Sequence, residues 1–513
     1  KFGDERDPGI DVMVPDTTFI ESERHNLLGI VLTHAHEDHL GAVAWLWPRL
    51  QAPVYCTPFA AELLKGKLEE AGLLNAVPLR VQPMGARFSL GEFDIELVSV
   101  THSIPEPNSV VLRTPAGTIV HSGDWKIDAT PAIPPYMDEK RLREIGDEGV
   151  DVLVCDSTNV LSKGASPSEA VIAKNLEKII RSAKKRVAVT TFASHVGRLT
   201  SIVRAARAAG RDVVLSGRAM HKATEAAREV GLLKDAGYLL DQEAYNELPR
   251  DKVVLVCTGS QGEGRAAMAR IAAGRHPVIK LDKGDVAVFS SKTIPGNEKA
   301  VAAVLDDLAE QGVEVITSSD ALIHTSGHPR QDELIQYYSW LKPAALVPMH
   351  GEMHHLEAHV KFAMDNDIEH AVRVTNGEIA QLLPGPVKII DDAPCGRTHI
   401  DGRLMVTSVD GPARKRRKLS FAGLAAISLS VNGKGRMRDD PQIVLDGIPE
   451  TDEDGELIED IIYDEILDAF DAMPAKARLD DDLLAETIRR AARRAFGMVW
   501  GKKPVVHVLV HHL

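Results

Sequence analysis

Between residues 187 and 310 the chain switches repeatedly between two periodicities, and this alternation restricts its fold more than any other feature. Val187–Phe192 is a short apolar run, Val196–Ala209 follows with helical spacing, and Val213–Ser216 reads as the next strand. Val253–Thr258 is another strand, followed by a glycine-containing loop and a helix over Arg265–Ala273. Val286–Ser290 and a helix over Asn297–Glu310 complete the series. Strands that alternate with helices imply a parallel sheet, because parallel neighbours need a crossover and a helix supplies it. Ligand-binding loops of such sheets lie at the carboxyl ends of the strands. Ala193-Ser194-His195, Gly217-Arg218, Thr258-Gly259-Ser260-Gln261 and Ser290-Ser291-Lys292 are therefore expected along one edge.

The first 155 or so residues read differently, as short strands broken by charged turns, with helices only at Ala42–Leu50 and Ala60–Ala71. Candidate strands are Gly29–Thr33, Phe93–Ser99, Ser109–Arg113, Thr118–His121 and Val152–Cys155. The first of them ends in His34-x-His36-x-Asp38-His39, which places three histidines and two acids in six positions. Imidazole and carboxylate at close spacing suit zinc or manganese. One short loop cannot wrap all four ligands around a single ion, because neighbours such as Asp38 and His39 splay apart; two ions side by side resolve this. Glu37 is expected to point away from the ligands. His102 in SVTHSIP, Asp124 in VHSGDWK and His350 in LVPMHGE each sit just past an apolar strand. Singly, each is more often structural. Four such loops on one face are hard to explain without a metal.

Bulk properties exclude several classes. A length of 513 residues suggests three or four domains at about 150 residues each. The formal net charge of −14 argues against non-specific coating of nucleic acid, though not against a local basic channel. The four cysteines, Cys56, Cys155, Cys257 and Cys395, form no CxxC pair and read as reduced thiols of a cytosolic protein. No apolar stretch reaches the roughly 18 residues of a membrane helix, and no signal peptide opens the chain. The opening Lys1-Phe2-Gly3-Asp4 has no methionine, so a natural N-terminal segment is expected to be missing.

Residues 390–450, rich in Gly, Pro, Asp and Arg, read as a linker or irregular region. Within it, Arg414-Lys415-Arg416-Arg417-Lys418 is a solvated loop on the plain reading and an RNA contact on the sharper one. After about 440 a small α/β unit follows. It has a helix from Asp480-Asp481-Asp482 to about Trp500 and a strand over Val505–Leu513, whose His507, His511 and His512 read as surface residues. This unit is expected to be too small for a core of its own without partners.

HAHEDH, His102, Asp124 and His350, together with CDSTN, SGHPRQDEL, VPMHGEMHH, TGSQGE and FSSKTIPGNE, resemble the bacterial ribonuclease J family. That family combines a metallo-β-lactamase fold with the inserted α/β domain of β-CASP nucleases. The resemblance implies a metallo-β-lactamase αββα sandwich over 1–168 and 326–390 and a β-CASP α/β domain over 169–325. A linker at 391–440 and a small C-terminal α/β dimerisation-type domain at 441–513 would complete the chain. It implies two Zn²⁺ ions, with Mn²⁺ or Mg²⁺ possible. One would be held by His34, His36 and His102, the other by Asp38, His39 and His350, with Asp124 bridging. The family normally opens with a glycine-rich strand pair and an early aspartate, which this chain lacks.

The implied reaction is hydrolysis of RNA phosphodiester bonds, 5′→3′ from 5′-monophosphate ends, with additional endonuclease activity. Two adjacent ions can lower the pKa of a shared water and clamp a phosphoryl oxygen. His328 is the candidate general acid, Asp156 orients it, and Asp38 and Asp124 supply the charge that holds the ions. Ser194, His195, His324, Thr325, Ser326, Gly327 and His328 would form the pocket for the terminal phosphate. Arg198, Arg218 and the 414–418 run are candidate contacts to the RNA backbone. Single-stranded RNA, a homodimer or tetramer, partners in an RNA-degradation complex and a cytoplasmic location follow from the same resemblance. Two other readings compete. A small-molecule hydrolase would not need a second α/β domain over its site, and a non-catalytic RNA-binding scaffold would not need an intact ligand set.

Overall fold

A computed structural model describes residues 7–134, 136–407 and 411–512. The chain divides into two compact units, one formed by residues 17–395 and the other by residues 1–16 with 396–513.

The larger unit contains three main sheets. Its seven-stranded sheet runs, in spatial order, His370–Ala371, Ala345–Met349, Val152–Asp156, Gly117–His121, Asn108–Thr114, Phe93–Ser99 and Arg87–Leu90. The first four strands are parallel and the rest antiparallel. Two successive antiparallel steps restore direction, so Phe93–Ser99, Gly117–His121, Val152–Asp156 and Ala345–Met349 all end on the same edge. A small parallel sheet of Ile30–Val31, Val54–Cys56 and Leu79–Val81 faces it, with Val31 packed against Ile95, Leu97 and Val110. The other face is covered by the helices Glu139–Glu148, Gln331–Leu341 and Met353–Met364 through Leu142, Ile145, Leu334, Tyr337 and Trp340. Gly146 permits the close approach of the first two of these helices, since a Cβ there would lie 2.0 Å from the Trp340 carbonyl oxygen.

The alternating region folds as expected into a five-stranded, wholly parallel sheet of order Asp212–Ser216, Val253–Cys257, Val187–Thr190, Val286–Phe289 and Glu314–Ile316. Its three inner strands, Val253–Cys257, Val187–Thr190 and Val286–Phe289, are buried throughout, which is why they read as continuous apolar runs.

The smaller unit corrects several expectations. Of the stretch expected to be irregular, Lys388–Asp392 is a strand of the larger unit paired with Glu378–Gln381, while the strands Arg397–Asp401 and Leu404–Thr407, the helix Pro412–Ala422 and the strand Leu424–Val431 belong to the smaller one. Residues 408–410 lie outside the described residues. The basic run is helical, not a loop: Pro412 at the first turn has the φ a helix needs, and Gly423 ends it at positive φ. Arg416 pairs with Asp401 and Arg417 with Asp7, so part of that charge is spent inside the unit. Leu424–Val431 is the central strand of a sheet with Met437–Asp446 and Val505–His512. The helices Ile458–Asp471 and Asp481–Val499 pack on one face through Ile427, Leu429, Ile462, Phe470, Ile488 and Phe496. The unit thus builds its own core. His507, His511 and His512 are exposed, as expected, and Leu513 lies outside the described residues. Among the described residues no helix is long and apolar enough to cross a membrane.

Candidate functional site

The site forms where those four co-directed strands end. His102 follows Phe93–Ser99, Asp124 follows Gly117–His121, Asp156 ends its own strand, and His350 follows Ala345–Met349. The expected strand Gly29–Thr33 is shorter, Ile30–Val31, and of the candidate ligands after it only His34 and His36 lie in a loop. His36 is extended and starts a one-turn helix, Glu37–Leu40, which carries Asp38 and His39. Glu37 faces outward, paired with Lys67 at 2.7 Å. It does so because of the helix, not through strand alternation.

Among the described residues ligand-type atoms converge in four overlapping groups, each with its atoms within 4.8 Å of one another; His34/His36/His102 and Asp38/His39/Asp124/His350 share no residue, and His102/Asp124/His328 and Asp156/His328/His350 bring in His328. Asp124 Oδ2 sits between the first two. It is 3.7 Å from His34 Nε2 and 3.9 Å from His102 Nε2 on one side. On the other it is 3.2 Å from His39 Nε2 and 3.4 Å from His350 Nε2. Zinc bonds of about 2.0–2.2 Å in tetrahedral geometry give ligand–ligand edges of roughly 3.3–3.6 Å. The observed spacings bracket that range. His34 Nε2 and Asp124 Oδ1 are buried without a hydrogen-bond partner. His102 Nδ1 lies 2.6 Å from the Gly327 carbonyl, which can only accept. The hydrogen is therefore on Nδ1, and the Nε2 lone pair points to His36 Nδ1 at 3.0 Å. Buried polar atoms left without a partner, as His34 Nε2 and Asp124 Oδ1 are, are costly unless a cation meets them. The residues present fit divalent metal.

The electrostatics agree. Burial lowers His36 to about 4 and holds His34 and His102 well below the usual imidazole value, so these three are neutral, the form that ligates. Burial would raise Asp38, but the His350 hydrogen bond and the neighbouring histidines outweigh it and keep the carboxylate ionised. Burial opposes the charged form of His350 too, yet the Asp38 hydrogen bond and the charges of Asp124 and Asp156 raise it to about 9. A metal ion would compete with that proton.

Beside the first two groups His328 Nδ1 lies 2.7 Å from Asp156 Oδ2, and Asp156 is fully buried. The His328 ring centre is 5.0 Å from that of His102 and 5.3 Å from that of His350. Burial works against a charged His328, but Asp156 more than compensates and raises it.

The residues expected to hold a terminal phosphate are less uniform. Ser326 Oγ accepts from Asn159 Nδ2 at 2.8 Å and from the His328 backbone N–H at 3.3 Å. Thr325 donates to the Pro167 carbonyl. His324 is largely buried with Nδ1 unpartnered, and burial lowers it to about 3. Ser194 is half-buried. His195 has both ring nitrogens engaged: Nδ1 accepts from the Arg198 N–H, capping the helix Val196–Ala208, and Nε2 lies 3.2 Å from Glu169 Oε1.

Arg198 is not a surface contact, contrary to expectation. It is fully buried, forks onto Glu169 at 2.8 and 2.9 Å and donates to the carbonyls of Ser290 and Ile323. Arg198→Met should destabilise the protein by about 3–5 kcal/mol in chemical denaturation, because Glu169 would stay buried with His195 alone. A change within roughly 1 kcal/mol, the noise of such a measurement, would contradict that role. Arg218 is exposed at the start of the helix Arg218–Glu229, as a contact would require. Glu169 escaped the sequence reading because an acid in a helix first turn is ordinary. Thr158 and Asn159, which touch the site, were in view within CDSTN but drew no attention.

Gly327 is required by space: a Cβ there would meet His102 Nδ1 at 2.5 Å. Gly327→Ala should displace His102 and lower both zinc affinity and activity by at least about tenfold, the scale seen when the support of a ligating histidine is lost. Equal zinc affinity in a competition titration would show that the loop simply moves aside.

Comparison with known proteins covers nearly the whole chain. Residues 6–187 match a Beta-lactamase superfamily domain, 184–308 the Ribonuclease J beta-CASP domain, 312–372 a Zn-dependent metallo-hydrolase RNA specificity domain, and 413–513 the Ribonuclease J C-terminal domain. Ribonuclease J of Sinorhizobium meliloti is 47% identical over 98% of this chain and 89% of its own length. Ribonuclease J of Mycolicibacterium smegmatis is 35% identical over 98% and 89%, and that of Thermus thermophilus 36% over 83% and 76%. These matches bear out the expected fold, a metallo-β-lactamase domain with a β-CASP insert and a separate C-terminal domain.

Proposed function

The chain belongs to the ribonuclease J family, and on that premise we propose that it is a two-zinc ribonuclease degrading RNA 5′→3′ from monophosphorylated ends. The observation that carries this reading is the position of Asp124 Oδ2 between four imidazole nitrogens from both ligand groups, with the His328–Asp156 pair alongside. His34, His36 and His102 would hold one ion and Asp38, His39 and His350 the other, with Asp124 shared between them. Mn²⁺ or Mg²⁺ can replace zinc if oxygen ligands from substrate complete the sphere. When bound, such ions activate a water near neutral pH and neutralise charge on the phosphoryl oxygens.

The side chains do the rest. Asp38 and Asp124 supply the anionic charge that retains the ions against three neutral, buried imidazoles. His328 donates its proton to the leaving 3′ oxygen, and the ionised Asp156 fixes its ring and tautomer. Ser326, Gly327, Thr325, His324 and the Ser194-His195 turn bind the terminal phosphate, with Ser194 and the main chain as the uncommitted donors. The ring of His195 must leave Glu169 to take part. Endonucleolytic cleavage uses the same centre on RNA that enters away from an end. The enzyme acts in RNA maturation and decay in the cytoplasm, as a homodimer or tetramer, alone or with degradation partners.

The test is a 5′-labelled RNA presented as monophosphate and as triphosphate. Release of labelled mononucleotide from the monophosphate form alone is expected. Internal fragments from both forms in equal yield would overturn the pocket and leave an endonuclease.

A further inference from the structure

Four consecutive side chains, from Asp156 at the end of the strand Val152–Asp156 to Asn159, tie this turn to the site and to the core beneath it. Asp156 holds the His328 ring. Ser157 Oγ bonds His359 Nδ1 at 2.8 Å, and His359 Nε2 bonds the Tyr338 hydroxyl at 2.5 Å, which anchors the turn in the core. Thr158 Oγ1 lies 2.8 Å from His350 Nδ1 and 3.0 Å from the His350 carbonyl oxygen. Asn159 Nδ2 donates to Ser326 Oγ at 2.8 Å and to the His328 carbonyl at 3.1 Å.

The Thr158 contact has only one consistent hydrogen pattern. A carbonyl oxygen can only accept, so the single hydroxyl hydrogen goes to His350 O. Oγ1 must then accept from His350 Nδ1–H. That leaves Nε2 as the nitrogen turned toward Asp38 Oδ2 and Asp124 Oδ2, both at 3.4 Å, where a metal ion would take the place of its proton. The same hydroxyl ties down the His350 backbone, which has φ 56°, a left-handed conformation that a histidine adopts only at a cost. Asn159 acts on the other loop. Its amide is the donor that joins the turn to Ser326 and to the main chain of His328 itself.

We propose that Thr158 and Asn159 are positioning residues with separable targets: Thr158 sets the tautomer and placement of His350 for metal, and Asn159 sets the Ser326–His328 loop for proton donation. The inference rests on the two-metal reading above. A hydrogen-bond partner that orients a ligating histidine is typically worth 10–100-fold in metal affinity. Thr158→Val keeps the shape and removes the hydroxyl; Thr158→Ser keeps the hydroxyl.

The experiment titrates the full-length, metal-stripped protein with zinc against a chromophoric chelator, and measures kcat at saturating zinc and thermal stability in parallel. Thr158→Val is expected to weaken the looser zinc step by about 10–100-fold, with Thr158→Ser restoring it. Asn159→Ala is expected to bind zinc as wild type does and to lose about tenfold or more in kcat, the low end of what a misplaced proton donor costs. Zinc affinity unchanged in Thr158→Val, no rescue by Thr158→Ser, or both variants losing only thermal stability would each overturn the proposal while leaving the two-metal reading intact. A wild-type protein that binds no zinc would overturn both.

Discussion

His328→Ala should lower the rate of RNA hydrolysis by about 10² to 10⁴ while the protein keeps its fold and its metal. In the proposed two-metal arrangement His328 is not a ligand: His34, His36 and His102 on one side and Asp38, His39 and His350 on the other surround Asp124 without it, although its ring also falls within reach of His102 and Asp124 and of Asp156 and His350. Its Nδ1 is committed to the buried Asp156, so Nε2 is the nitrogen left to meet a leaving group. The buried carboxylate favours the protonated ring, which a proton donor requires. A substrate with sulfur in place of the scissile 3′ oxygen separates this role from a structural one. A thiolate leaves without a proton, so His328→Ala should cut that RNA nearly as fast as wild type does. An equal loss on both substrates would mean that His328 positions something else.

Asp124→Asn should be more damaging, because one atom serves both halves of the centre. Oδ2 is within 3.9 Å of His34 and His102 and within 3.4 Å of His39 and His350, and the side chain is 1% exposed. Asparagine has nearly the same shape but no charge, and it must present an amide to one of two groups of lone pairs. Two dications would then face mainly neutral imidazoles in a buried site, with Asp38 alone to balance them. Both ions should be lost or bind far more weakly, with activity down by on the order of 10³ or more, since the ions supply several kcal/mol of transition-state stabilisation. Retention of two ions at wild-type affinity would show that Asp124 does not bridge.

Much of the site could be read from the chain because ligands obey a local rule: a polar group directly after an apolar strand. His34, His102, Asp124 and His350 follow such strands and Asp156 ends one, and the two-step antiparallel reversal in the seven-stranded sheet brings the strand ends of His102, Asp124, Asp156 and His350 to one edge, while His34 comes from the small parallel sheet. The parallel sheet was equally plain, since strands buried on both faces have unbroken apolar runs. Arg198 was misjudged because a buried, paired arginine and an exposed one share the same local sequence; only Glu169, 29 residues earlier, decides between them. The 390–450 stretch was misjudged for a related reason. Lys388–Asp392 and Arg397–Asp401 are five-residue strands rich in charge, and the pairing of Arg397–Asp401 with Val12–Pro15 is fixed by a long-range partner and not by local pattern. The His36–Leu40 turn looked like loop because a one-turn helix has no room for a period.

The central claim is that two ions act together at this site. The most direct measurement strips the protein with a chelator, returns zinc or manganese in sub-stoichiometric steps, and follows bound metal and hydrolysis of 5′-monophosphorylated RNA in the same samples. The account predicts that activity stays low through the first equivalent and rises with the second. Full activity at one equivalent per chain, or undiminished hydrolysis in the stripped protein, would contradict it.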